Sequence, residues 1–200
     1  NDFAVQIYGI PYLKKNQYYT IQNGILSKGD NNALHAIVGA GTGLGVARGL
    51  ISGRNIKVLA SEGGHIEYSP KSKLEWELKI WLKNRLKVER ISFERIISGT
   101  GLSRIAEWRL SKPDAKNHSL QKYLKEIKIN DAARKKLPEK ICNLSKEGDQ
   151  IMIEVERIWF GAYASFLGDV ALQELCFGGL WISGGTAPKH FKNFKSDFFI

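Results

Sequence analysis

The sequence predicts a mixed α/β or α+β fold. Strand-like segments come first, helical segments follow, and a strand–Gly-Gly–helix unit closes the chain. The strands are short apolar runs separated by glycine-bearing turns between residues 35 and 61. The helices repeat their apolar residues at spacings of three and four between residues 72 and 175.

Taken in order, residues 2–14 read as a helix that starts at Asn1 or Asp2 and ends near Leu13-Lys14-Lys15. A polar connection, IQNGILSKGDNN, follows. HAIVG (35–39) reads as a buried strand. GLGVARGLIS and NIKVLAS read as two more, joined by SGRN, whose glycine and asparagine between apolar runs signal a hairpin. In SKLEWELKIWLKNRLK (72–87), Leu74, Leu78, Trp81, Leu82 and Leu86 trace one face of an amphipathic helix. Ser72 and Glu75 have capping-box spacing at its start. Shorter helices are expected over 92–97 and 101–110, then a basic segment broken at Pro113 and Pro138. Residues 150–175 form a long, mostly buried helix. A strand at 179–183 and a glycine turn lead to a new helix after Pro188.

The net charge of +10 raises the question of nucleic acid. Residues 112–140 hold nine Lys/Arg against four Asp/Glu, so half of the excess lies in one polar stretch. That stretch lacks the aromatic or helix-turn-helix spacing that makes a charge run specific, and it reads as a solvated face; no nucleic-acid partner is expected. No apolar run approaches the ~20 residues of a membrane helix, so no membrane partner is expected either. Cys142 and Cys176 form no CxxC pair or metal cluster, which points to a reducing cytoplasm. The chain begins at Asn1 rather than Met, within what reads as a helix, so its first residue is expected to be an internal position of a longer polypeptide.

The densest glycine segment is GAGTGLG (39–45), directly after a strand. Freed backbone N–H groups there suit phosphate oxygens, and a tight strand-to-strand turn suits the spacing equally. It is no Walker A loop, lacking Lys-Ser/Thr, and no dinucleotide fingerprint, since Leu44 or Val46 stands where a third glycine is needed. SGTGL (98–102) and ISGGTAP (182–188) repeat glycines at element junctions. Each polar candidate has a plain structural reading beside the functional one. Asn1-Asp2 serves as a helix N-cap, His65 as a core histidine, and Glu94 as a first-turn acid. Glu62 is the least easily explained in that way, because an acid before Gly-Gly has no helix end to serve. The residues alone leave a nucleotide-dependent transferase or a binding protein.

IVGAGTGLGVA, SEGGHIEYSP, ERIISGTGL and ISGGTAP, in that order, resemble the bacterial glucokinases of the hexokinase-like, actin-fold superfamily, from Asn1 to at least Pro188. The cysteine-rich zinc motif of the sibling repressor/kinase branch is absent. The resemblance implies an α/β, actin-like or ribonuclease-H-like lobe with a mixed sheet flanked by helices. Residues 1–200 would be the large C-terminal lobe, without the N-terminal lobe that carries the family's Asp-Gly-Gly-Thr phosphate motif. It implies ATP-dependent phosphorylation of glucose at the 6-hydroxyl, with ATP and Mg2+ as cofactors. Asp2 would be the general base, and Asn1, Asp2, Glu62, His65 and Glu94 would hold the sugar. Gly39, Gly41, Thr42 and Gly43 would lie on the phosphates, Gly184 and Gly185 on adenosine, and no protein side chain would ligate a metal. Family members are commonly homodimers. A non-catalytic sugar- or nucleotide-binding sensor of the same fold is the alternative, and this chain by itself is expected to fold yet turn over little or nothing.

Overall fold

A computed structural model describes residues 2–24, 33–127, 131–187 and 194. They form two compact units, residues 1–66 with 163–200, and residues 67–162.

The first unit is built on the strands expected from the sequence. Strand β1 (Ala33–Ala40) and β2 (Leu44–Ser52) form an antiparallel hairpin through the three residues Gly41-Thr42-Gly43. SGRN turns β2 into β3 (Asn55–Leu59), with Gly53 at φ 58°. Strand β4 (Gly179–Ser183) pairs with β1 in parallel, giving a mixed sheet of order β3-β2-β1-β4.

Helix α1 (Asp2–Gly9) continues as one 3-10 turn, Ile10–Tyr12, where Pro11 removes an amide and ends the regular helix earlier than expected. Ile7 and Ile10 are buried against Ile37 and Ala47, with Phe3, Ile51, Ile56 and Val58 packed around them. On β1 the five residues from Ala36 to Ala40 are all buried, as befits a strand covered on both faces. Tyr163, on α6 (Gln150–Glu174), donates from its hydroxyl to the Val38 carbonyl at 3.5 Å, and burial pushes that phenol well above its ordinary range. Further along α6, Glu174 takes both oxygens to Arg48 Nη1 on β2, at 2.8 and 2.7 Å. In β4, Trp181 donates its indole N–H to His35 Nδ1 at 3.1 Å and meets the edge of Tyr18. Burial lowers the His35 pKa.

The second unit is helical. Helix α2 (Lys73–Leu86) is capped by Ser72, which accepts from the Glu75 amide at 3.2 Å. Glu75 does not close the reciprocal half of the expected box. Its carboxylate instead takes the Lys71 amide (2.7 Å) and the Tyr68 hydroxyl (2.9 Å). Leu78 and Leu82 are fully buried, whereas Leu74 is exposed, so the apolar face is narrower than its periodicity suggested. Helices α3 (Gly99–Leu110), α4 (Leu120–Glu126) and α5 (Asp131–Lys146) follow.

Pro138 does not break the basic segment as the sequence reading had it: it lies inside α5. An interior proline costs roughly 3 kcal/mol. Leu137 and Ile141, both fully buried, bracket it and hold the helix through the lost hydrogen bond. The helix expected after Pro188 lies outside the described residues.

Three exposed carboxylates in this unit are held below their ordinary pKa by hydrogen-bonded cations: Glu67 by Lys79, Glu77 by Lys112 and Asp114 by Arg109. A folded pKa below the unfolded one stabilises above the unfolded value and is lost as pH falls through the folded value. The contribution of these three pairs to thermal stability should therefore be complete above pH 4.5, the ordinary glutamate value here, and be lost progressively below it. Melts followed by circular dichroism, with Lys112→Met expected to flatten the decline, check this.

Candidate active site

Parallel pairing places the carboxyl ends of β1 and β4 side by side, with Gly39 opposite Ser183. Two glycine loops leave this edge, Gly41–Gly43 from β1 and Gly184–Ala187 from β4. Thr186 stitches them together, since its hydroxyl and amide both donate to the Ala40 carbonyl, at 2.8 and 3.3 Å. Gly184 has φ +87°, and a Cβ there would stand 2.7 Å from that same oxygen, so only glycine fits. The crevice outside the carboxyl ends of strands is where open α/β sheets bind ligands.

The 39–45 segment contains both of the things that its sequence allowed. It is a tight turn, closed by the Gly41 amide donating to the Gly43 carbonyl at 2.8 Å. Gly39 and Gly45, directly opposed across the hairpin, are glycines for packing, because the Phe3 ring lies on both and leaves no room for a Cβ. Gly41 and Gly185 differ: a Cβ at either would meet nothing within 4 Å, and neither has a left-handed φ. Neither packing nor backbone strain requires glycine at those two positions, and Thr42 between the turn glycines is exposed.

The first turn of α1 is fastened to the same edge. Phe3 sits on the Gly39–Gly45 pair, and Ser183 at the end of β4 donates its hydroxyl to Gln6 Oε1 at 2.6 Å. The backbone of Asp2, one residue before Phe3, therefore starts its helix beside the two glycine loops. Asn1 lies outside the described residues.

Glu62-Gly63-Gly64-His65 forms a 3-10 turn laid on the beginning of β2. Gly64 is buried so closely on the Leu44 carbonyl that a Cβ would overlap it, and a Cβ on Gly63 would touch Val46 at 3.4 Å. This holds Glu62 and His65 on the outer side, Oε2 and Nε2 3.7 Å apart, with 79% and 54% of their side chains exposed. His65 is thus no core histidine. Glu62 stands at the N-cap position of the turn without making a capping hydrogen bond, so its carboxylate remains open to a ligand.

Glu94 belongs to the second unit, in the 3-10 turn Phe93–Arg95. Its place is set by the segment after the Gly-Gly turn. Glu67 pairs with Ser92, the Tyr68 amide donates to the Ile91 carbonyl (2.8 Å), and the buried Tyr68 ring meets Phe93 edge-on. Lys79, itself 8% exposed, donates to the Tyr68 carbonyl and pairs with Glu67, both at 2.8 Å. SGTGL, by contrast, is a structural cap. Ser98 accepts the Gly101 amide at 3.0 Å, and Gly101 packs against the Ile96 backbone with no space for a side chain.

Phe3, Gln6, Ser183, Tyr68 and Lys79 were not singled out by sequence reading. One signal was available: Gly39 and Gly45 stand symmetrically about Thr42, the spacing of a cross-strand pair that accepts one large ring. Among the described residues no three His, Cys, Asp or Glu stand close enough together to hold a metal ion.

The family model for glucokinase matches residues 1–200. The glucokinase of Helicobacter pylori strain 26695 is 36% identical over 205 residues, covering 100% of this chain and 55% of that protein. That of Synechocystis sp. strain PCC 6803 is 34% identical over 195 residues, covering 94% of this chain and 54% of that protein. Among solved structures, glucokinase from an Antarctic psychrotroph superposes with a TM-score of 0.77 at 27% identity, covering 100% of this chain and 56% of its own. The actin-like α/β fold implied by the four motifs is borne out. The chain spans about half the length of the curated relatives that it matches.

Proposed function

This chain belongs to the glucokinase family, and from that premise we propose that it carries the catalytic base, most of the sugar site and the nucleotide loops of an ATP-dependent kinase acting on the 6-hydroxyl of glucose. The observation that carries the reading is the convergence on one sheet edge. The start of α1, the Gly41–Gly43 turn, the Gly184–Ala187 turn and the Glu62–His65 turn are all fastened to the ends of β1, β2 and β4.

Phosphoryl transfer asks mainly for in-line positioning, charge stabilisation and a base. In this reading the Asp2 carboxylate accepts the 6-hydroxyl proton as that oxygen attacks the γ-phosphorus and ADP departs. Carboxylates of Glu62 and Glu94 accept from sugar hydroxyls, the His65 imidazole donates or accepts, and Asn1 does both. Such a set disfavours analogues lacking a hydroxyl, which would cover these polar groups and leave them unpaired. Gly41, Thr42 and Gly43 approach the phosphates with little bulk, and Gly184 and Gly185 approach adenosine. Gly39, beneath Phe3, supports the loop from behind. Mg2+, when bound, would neutralise phosphate charge.

The 200 residues hold no Asp-Gly-Gly-Thr phosphate segment, so this chain by itself is expected to turn over poorly. A cytoplasmic setting suits two cysteines that form no disulfide among the described residues. A homodimer is the assembly to look for by sedimentation. The experiment that tests the reading is calorimetric titration with glucose, beside galactose and N-acetylglucosamine. Preferential glucose binding, weakened about tenfold or more in Glu62→Gln, is expected. Equal binding of all three sugars, or binding indifferent to Glu62→Gln, would remove Glu62 from the site.

A further inference from the structure

Arg104 stands on the second turn of α3, half-buried within the second unit. Its Nη1 reaches the Arg95 carbonyl at 3.5 Å, the long limit of a hydrogen bond, and Arg95 Nη1 reaches the Arg90 carbonyl at the same distance. Arg134, on α5, which packs against α3, adds a further positive charge to the field at Arg104. Among the described residues no carboxylate oxygen lies within 4.0 Å of Arg95, Arg104 or Arg134. Glu107 and Glu94 are the opposing charges, and Glu107 already pairs with Arg85 at 3.5 Å. Burial, and then the charge of Arg95, hold the Arg104 guanidinium below its ordinary pKa range.

A guanidinium presents five N–H donors in a planar fork. Half-burying one beside like charges, with a single weak acceptor among the described residues, is unfavourable unless something completes it. Its donors are not sealed away either: the buried, unpartnered side-chain nitrogen among the described residues is Arg48 Nε, on the other unit. We propose that Arg95, Arg104 and Arg134 form a binding site for a phosphate dianion, either free or as a phosphomonoester. Planar forks match phosphate oxygens two at a time, and a dianion supplies the charge that Glu94 and Glu107 leave uncompensated. The inference does not depend on the kinase reading, although Arg95 follows Glu94 in the same three-residue turn.

The test is calorimetric titration of the full chain with inorganic phosphate at constant ionic strength, and in a second arm with glucose 6-phosphate against glucose alone. Saturable binding is expected, weakened at least about tenfold in Arg104→Gln and changed less than about twofold in Arg54→Gln, an exposed hairpin arginine of equal charge. Tighter binding of glucose 6-phosphate than of phosphate, with the same dependence on Arg104, identifies a phosphomonoester; the reverse order identifies free phosphate. Should Arg104→Gln fail to fold, side-chain nitrogen resonances of the wild-type arginines give the same answer: Arg95 and Arg104 shift with phosphate and Arg54 does not. Absence of saturation, or equal losses in Arg104→Gln and Arg54→Gln, overturns the proposal.

Discussion

Asp2→Asn is expected to lower kcat of the complete enzyme by roughly 10²–10⁴-fold, the span that a positioned general base contributes, while glucose affinity changes by less than about threefold. Asparagine keeps the volume and can still meet a sugar hydroxyl, but it cannot take the proton. The loss should therefore fall on kcat and leave KM nearly still. Stability should also hold, because Phe3, Ile7 and Ile10 fasten α1 to the sheet through apolar contacts that the exchange leaves alone. Steady-state kinetics beside calorimetric glucose binding make the check. A fall in affinity as large as the fall in turnover would assign Asp2 to ground-state binding instead. Unchanged turnover would remove Asp2 from the role of base, and glucose binding without any turnover before the exchange would favour the sensor alternative, which needs acids for hydroxyls but no base.

The second large effect is expected from Gly64→Ala. The added methyl would overlap the Leu44 carbonyl, backbone against backbone, so no side-chain rotation can relieve it. Overpacking of this kind costs about 1–3 kcal/mol. The cheapest relief lifts the 3-10 turn off β2 and carries Glu62 and His65 with it. A displacement of ~1 Å at a binding group can cost 10²-fold in rate, so glucose kcat/KM should drop by about that factor. Nucleotide binding, which the proposed function assigns to the loops on β1 and β4, should persist. Loss of both together would mean that the change had unfolded the first unit rather than re-aimed the turn.

Elements whose periodicity is local were legible from the sequence. The SGRN hairpin, the 73–86 helix and the long 150–174 helix all match their patterns, because alternation and three-to-four spacing follow directly from which face is buried. What the sequence withheld depended on partners far along the chain. Nothing near Pro138 announces that Leu137 and Ile141 are buried deeply enough to keep it helical. Lys79 reads as one more charge on a helix, and only the fold places it under the Tyr68 carbonyl. Within the candidate site, residue types and order were legible. The reason for each glycine was not, since Gly39 and Gly45 answer to Phe3, Gly64 to Leu44, Gly101 to Ile96, and Gly41 to no protein atom within reach.

The Trp181–His35 pair gives the first unit an optical identity of its own. Of the five tryptophans, Trp76, Trp81, Trp108 and Trp159 lie in residues 67–162, and Trp181 alone lies in the other unit. A single Trp181→Phe exchange therefore removes every indole from that unit. The difference between the two emission spectra is the light from one hydrogen-bonded chromophore, three residues before the left-handed glycine at the end of β4.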